Sequence, residues 1–151
     1  MRPIVRPIES PDLDSLIILM KEFSEFDGTP GEIDLDVERL SEAFFGNHPQ
    51  LFGLVAVCDG DIAGFLNYFY SFASFSLEPT IWVEDVFIRS EYRRKGIGHS
   101  FFSTIQNIAR EKDCNCVEWL VRKDNSSGIK FYESIGAQVD EGTIYVKWKM
   151  P

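Results

Sequence analysis

Long apolar runs are missing from this chain. None approaches the ~20 residues that a membrane-spanning helix needs, and the opening MRPIVRPIESPD has no apolar secretory region. A cytoplasmic location is the expectation. Cysteine and histidine are scarce as well. Cys58, Cys114 and Cys116, with His48 and His99, offer neither a disulfide framework nor the spaced ligands that zinc requires. Reduced thiols and no metal are expected. Positive charge is in deficit: 15 basic residues face 24 acidic ones, a net charge of −9. That argues against general nucleic-acid binding, which relies on a basic face to neutralise phosphates. It is compatible with drawing in a small cationic substrate. Repeats, low-complexity tracts and linkers are absent, and 151 residues suit a single domain, 1–151, with a sizeable core.

What is present alternates between strand and helix patterns. PIVRPI (3–8) has β-branched strand character, and Ser10, Pro11 and Asp12 open a helix through EFSEF as N-cap, first helical residue and first-turn acid. GTPG (28–31) breaks it, and DLDVERLSEAFFG (34–46) reads as a second amphipathic helix closed by Gly46. Residues 51–72 form two strands joined by the hairpin signal Asp59-Gly60. TIWVEDVFI (80–88) is a fourth strand, CVEWLV (116–121) another, SSGIKFYESIG (126–136) a short helix and TIYVKWKM (143–150) a last strand. The order predicts a mixed α/β fold, one sheet with helices on both faces.

The densest signal lies where the fourth strand ends. Arg89, Arg93, Arg94 and Lys95 fall within seven positions, followed by Gly96 and Gly98. The next stretch, HSFFSTIQNIAREKD, places Phe101, Phe102, Ile105, Ile108 and Ala109 on one side of a helix. A strand, a glycine turn and a helix start with nearby cations make an anion site, most often for phosphate. Glycine lets backbone approach such a ligand closely.

These residues resemble the GNAT N-acetyltransferase superfamily. Its pyrophosphate signature (Gln or Arg, two residues, Gly, one residue, Gly or Ala) is matched by Arg93, Gly96 and Gly98, and FYESIGA (131–137) is similar to its late element FYxxxGF/A. Within it, the blocks RPIESPDLDSLIILMKEFSEFD, GNHPQLFGLVAV, WVEDVFIRSEYRRKGIG and LVRKDNSSGIKFYESIGA resemble the diamine (spermidine/spermine) and thialysine N-acetyltransferase branch. The chain departs from that branch at DGTPGEID, at Lys123-Asp124 and at Ile144, which leaves the amine open. The resemblance implies a mostly antiparallel central sheet, acetyl-CoA as co-substrate and a homodimer.

It also implies roles. Arg93, Arg94, Lys95, Gly96, Ile97, Gly98 and His99 would cradle the pyrophosphate; Val86, Phe87 and Ile88 would offer backbone to the pantetheine arm; Asn125, Ser127 and Gly128 would add contacts to it. Glu84 would bind the amine and relay its proton through water, since a carboxylate inside an apolar strand is costly without a purpose or partner. Strict alternation places Trp82, Glu84 and Val86 on one face and Asp85 and Phe87 on the other. Asp85 is expected as a structural or secondary acidic contact. Tyr132 would protonate the departing CoA thiolate and touch the cofactor, and Phe26 and Asp27 would line the amine site. A small primary amine (a polyamine, thialysine or a related amino acid) is the leading acceptor. A protein N-terminus or lysine, or a non-catalytic acyl-CoA sensor, are the alternatives.

Overall fold

The computed structural model describes residues 2–28 and 33–151, so most of the expected GTPG break lies outside the described residues. The chain divides into two compact units, Met1–Trp119 and Leu120–Pro151. In the first, strands β1 (Ile4–Pro7), β2 (Phe52–Cys58), β3 (Asp61–Ala73) and β4 (Glu78–Ile88) pair antiparallel in sequence order. Helix α3 (Ile97–Glu111) then crosses over to β5 (Val117–Glu118), which lies parallel to β4. The β2–β3 turn is tight because Asp59 (φ 49°) and Gly60 (φ 88°) both take the left-handed conformation such hairpins require.

Helices α1 (Leu13–Phe26) and α2 (Val37–Phe45) cover one face of this sheet and α3 the other. Leu16, Leu19, Leu40 and Phe44 pack with Val55, Phe65 and Phe87; Phe101 and Ile105 pack with Leu54, Leu66, Ile81 and Val83. Along β2 alternate residues serve opposite cores, Leu54, Ala56 and Cys58 on the α3 side and Val55 and Val57 on the α1 side, the period-2 rule at work. The expected fold class, a mostly antiparallel sheet with helices on both faces, is borne out.

Several boundaries differ from expectation. Ser10–Asp12 is a 3₁₀ turn capped by Glu9, not the first turn of an α-helix capped by Ser10. Asp12 explains it. Its buried carboxylate accepts two Arg6 guanidinium bonds (2.7 and 2.9 Å) and the Glu9 N–H (2.8 Å), which ties the turn to β1. The same Arg6 bonds, helped by the Glu9 N–H, hold the Asp12 carboxyl below its ordinary range. Helix α2 begins late, at Val37, because Asp36 caps the N–H groups of Glu38 and Arg39.

The expected strand 116–121 shortens to Val117–Glu118, since β4 offers it a ladder only at Ile81 and Trp82. Within the second unit the expected last strand, 143–150, is not seen: its alternation of Ile144, Val146 and Trp148 is real, but it has no ladder inside that unit. A strand needs a partner for its backbone groups as well as a pattern. The second unit contains α4 (Ser126–Ser134). Among the described residues no helix is long and apolar enough to cross a membrane.

Gly64 controls how closely β3 and β4 approach: a Cβ there would lie 2.6 Å from the Phe87 carbonyl oxygen. Gly64→Ala is expected to destabilise the protein by about 1–3 kcal/mol, read as a lower urea midpoint. An unchanged midpoint would contradict that packing.

Candidate active site

β4 ends at Ile88, and the chain enters α3 through two left-handed residues, Arg94 (φ 57°) and Gly96 (φ 85°). Gly96 is the N-cap of α3 and brings no capping side chain. The first bond back into the helix is Ser100 N–H to Gly96 O, 3.0 Å, so the N–H groups of Ile97 and Gly98 have no acceptor within the helix. Arg94, Lys95 and His99 are exposed around that helix start, while Ile97 is buried and anchors it. Gly98 is already helical. Its conformation does not require glycine, and glycine in a helix costs about 1 kcal/mol relative to alanine. A glycine there lets a ligand approach the backbone closely.

Arg93 behaves differently from its neighbours. Its Nε–H donates to the Ile88 carbonyl (2.8 Å), and its guanidinium carbon sits 4.7 Å from the Phe26 ring centroid and 5.9 Å from that of Phe87. The side chain is turned toward α1.

Beyond Trp82 the outer edge of β4 has no strand partner among the described residues. Val86, Phe87 and Ile88 lie along this edge, where an extended arm can add as a further strand. The inner edge carries an irregularity: Asn67 pairs with Asp85 and Tyr68 with Val83, so Glu84 is the extra residue of a β-bulge. The bulge overturns the expected alternation. Val83 and Val86 both pack in the α3 core, whereas Phe87 packs in the α1 core. Glu84 accepts the Trp82 indole N–H (3.2 Å) and therefore stays on the α1 side, where Asp85 meets Asn67. Val86 does not share its face.

Two adjacent carboxylates thus point to the same side, and they differ in surroundings. Glu84 is exposed. Asp85 is largely withdrawn from water, and this desolvation raises its carboxyl to about 6; the Asn67 N–H (3.3 Å) offsets part of the rise, and the charges of Glu84 and Asp27 add to it. Asn67 is fully buried, and its Oδ1 has no hydrogen-bond partner among the described residues. Asp27 caps the C-terminus of α1 directly after Phe26, whose ring lies 6.0 Å from that of Phe87. The first unit therefore gathers Phe26, Asp27, Glu84 and Asp85 on one face of the sheet. Asn67 escaped sequence reasoning, although an asparagine within the apolar run GFLNYFYSF was the available signal.

The remaining candidates belong to α4 in the second unit. Asn125 is its N-cap and accepts the Gly128 N–H (3.0 Å) and the Ser127 hydroxyl (3.4 Å). A Cβ on Gly128 would lie 2.6 Å from the Asn125 amide, so these residues have a local structural role of their own. Burial raises the Tyr132 phenol above its ordinary value, which keeps it a proton donor at neutral pH. A surface cavity of about 450 Å³ between the starts of α1 and α2, lined by residues such as Asp14 and Glu38, shares no residue with these candidates. Among the described residues no three His, Cys, Asp or Glu side chains converge as metal ligands.

Asp85 has a consequence for stability. The unfolded carboxyl ionises near 3.8 and the folded one near 6, so across that window the folded protein binds the extra proton and stability falls as pH rises. Asp85→Asn is expected to flatten the fall between pH 4 and 6.5 and to gain up to about 3 kcal/mol at pH 7. Denaturant titrations at stepped pH check this; parallel curves for parent and variant would contradict it.

Comparison with known proteins matches these features. A model of the acetyltransferase (GNAT) family matches residues 16–137. The L-ornithine N5-acetyltransferase NATA1 of Arabidopsis thaliana is 35% identical over 89 residues, 59% of this chain and 37% of that protein. The thialysine N-epsilon-acetyltransferase of Bos taurus is 24% identical over 143 residues, 89% of this chain and 84% of that enzyme. Among solved structures, AAC(6')-Iy in complex with the bisubstrate analog CoA-S-monomethyl-acetylneamine superposes with a TM-score of 0.80 at 18% identity, covering 99% of this chain and 100% of that one. The chain belongs to the acetyltransferase (GNAT) family of N-acetyltransferases.

Proposed function

We propose that the protein moves the acetyl group of acetyl-CoA to the primary amine of a small molecule: a polyamine, thialysine or a related amino acid. The observation that carries this reading is the set of three carboxylates, Asp27, Glu84 and Asp85, gathered on the α1 face of β4. An alkylamine ionises near about 10.4 and arrives as a cation, and such a cluster attracts cations. The names of two relatives, acting on ornithine and thialysine, support an acceptor with a second charged group.

The residues present fit acetyl-CoA. The turn at Gly96–Gly98 gives unbonded N–H groups with Arg94 and Lys95 beside them, and Val86 to Ile88 lie along a strand edge without a partner among the described residues. Acetyl-CoA supplies the acetyl thioester. In this reading Glu84 binds the ammonium and passes its proton to water, and Asp85 lowers the cost of holding a cation beside it. Tyr132 donates its phenolic proton to the departing thiolate, a role that rests on the match of FYESIGA to the family element. Asn125, Ser127 and Gly128 shape the start of α4 for the pantetheine arm. A cytoplasmic homodimer with one domain per chain is the form this reading expects.

Rates for a diamine and for a monoamine of equal length, at low and high salt, test the acceptor. The diamine is expected to be acetylated more efficiently, with the advantage shrinking in salt. Equal efficiencies would reject a second ammonium site, and turnover of a lysine peptide alone would move the acceptor to proteins. Gly98→Ala tests the donor site. It is expected to keep the fold while weakening CoA binding at least tenfold. A folded variant with unchanged CoA affinity in calorimetry would place the pyrophosphate elsewhere.

A further inference from the structure

Helix α1 ends badly for its own dipole. Its last turn holds no basic residue, while Glu22, Glu25 and the capping Asp27 crowd the negative end. The missing cations come from the segment after β4. Arg89 forms a two-point ion pair with Glu22 (2.9 and 2.8 Å) and donates to the Ile62 carbonyl (3.3 Å). Four residues on, Arg93 meets Phe26, four residues beyond Glu22, so the two arginines that flank the 3₁₀ turn Ser90–Tyr92 grip two positions one turn apart on α1. Phe26 is 59% exposed, and among the described residues its ring lies against Phe87 and Arg93. A guanidinium within about 6 Å of a ring face is an attractive pairing, and here the Ile88 carbonyl fixes its orientation through Nε.

We propose that the Arg93 side chain is a positioning residue for the acceptor: it holds Phe26 and Asp27 against β4, while its backbone begins the turn that receives the pyrophosphate. One residue then joins the donor turn to the acceptor side. The inference rests on the reading of Asp27 as part of the amine site. It gives the arginine of the signature a task that the phosphate alone does not require, because its Nε–H is held by the Ile88 carbonyl and its guanidinium lies beside the rings of Phe26 and Phe87. Ligand binding that stiffens the turn must then stiffen the end of α1, and the coupling is reciprocal.

Hydrogen exchange at the Asp27 and Gly28 amides, which bond to Phe23 O and Glu25 O, reads this without any acceptor. Saturating CoA is expected to slow both amides about tenfold in the parent and less than twofold in Arg93→Met. In steady state, Arg93→Met and Phe26→Leu are each expected to raise KM for the amine about tenfold. The double variant should add little more, while CoA affinity falls less than threefold. Arg93→Lys, which keeps the charge but not the planar stack, should behave like Arg93→Met. A tenfold or greater loss of CoA affinity in Arg93→Met, or CoA-induced protection that survives the substitution, would overturn the proposal. Additive effects of the two substitutions on KM would do the same. If no amine in the panel is turned over, the acceptor reading fails on its own, and the exchange data still decide the role of Arg93.

Discussion

The extra residue in β4 sets the geometry on which the candidate chemistry rests. With strict alternation, Glu84 and Asp85 would face opposite cores, one carboxylate would be buried against α3, and no pair would exist. The bulge opposite Asn67 and Tyr68 brings both to the α1 side and returns Val86 to the α3 core. It also falls just beyond Trp82, where the parallel ladder to β5 ends. A bulge bends and twists its strand, so one local irregularity accounts for two features on which the proposed donor and acceptor sites rest: an edge without a strand partner among the described residues and an acidic face.

Charge is distributed to match. The chain carries a net charge of −9, yet the turn after β4 is basic and the end of α1 is acidic. Arg89 and Glu22 join these opposite patches, and Arg93 adds the ring contact to Phe26. The two regions also differ in how they hold charge. At Gly96 the chain presents backbone N–H groups that need no ionised side chain, whereas the Asp85 carboxyl is costly to ionise because it is buried beside other carboxylates. Such a group favours the arrival of a cation, and it makes the protein less stable as pH rises toward neutrality.

Much of this was legible in the sequence, and the rest was hidden for identifiable reasons. The hairpin at Asp59-Gly60 and the turn at Gly96–Gly98 depend on local rules and appear where the residues place them, and the helices form with only their starts displaced. Bulges do not follow from periodicity, because a pattern of alternating side chains carries no mark of an inserted residue; Glu84 and Val86 were therefore assigned to one face. Asp12 looked like an ordinary first-turn acid, since its partner Arg6 lies on a different element. Residues 143–150 keep a clear strand pattern without a ladder inside the second unit, because alternation describes what a strand buries and not whom it pairs with. Arg93 read as a phosphate residue by motif, and only the positions of Phe26 and Phe87 reveal where its guanidinium lies.

The central claim is that the bulge creates a half-buried carboxyl at Asp85, which we propose senses a cation bound beside it. Carbon-13 NMR of the aspartate side-chain carboxyls, followed through pH with and without a saturating diamine, measures this directly. The account predicts an Asp85 midpoint near 6 in the free protein, displaced downward when the diamine is bound and much less by CoA alone. An Asp85 midpoint in the ordinary carboxylate range, unmoved by the diamine, would contradict it.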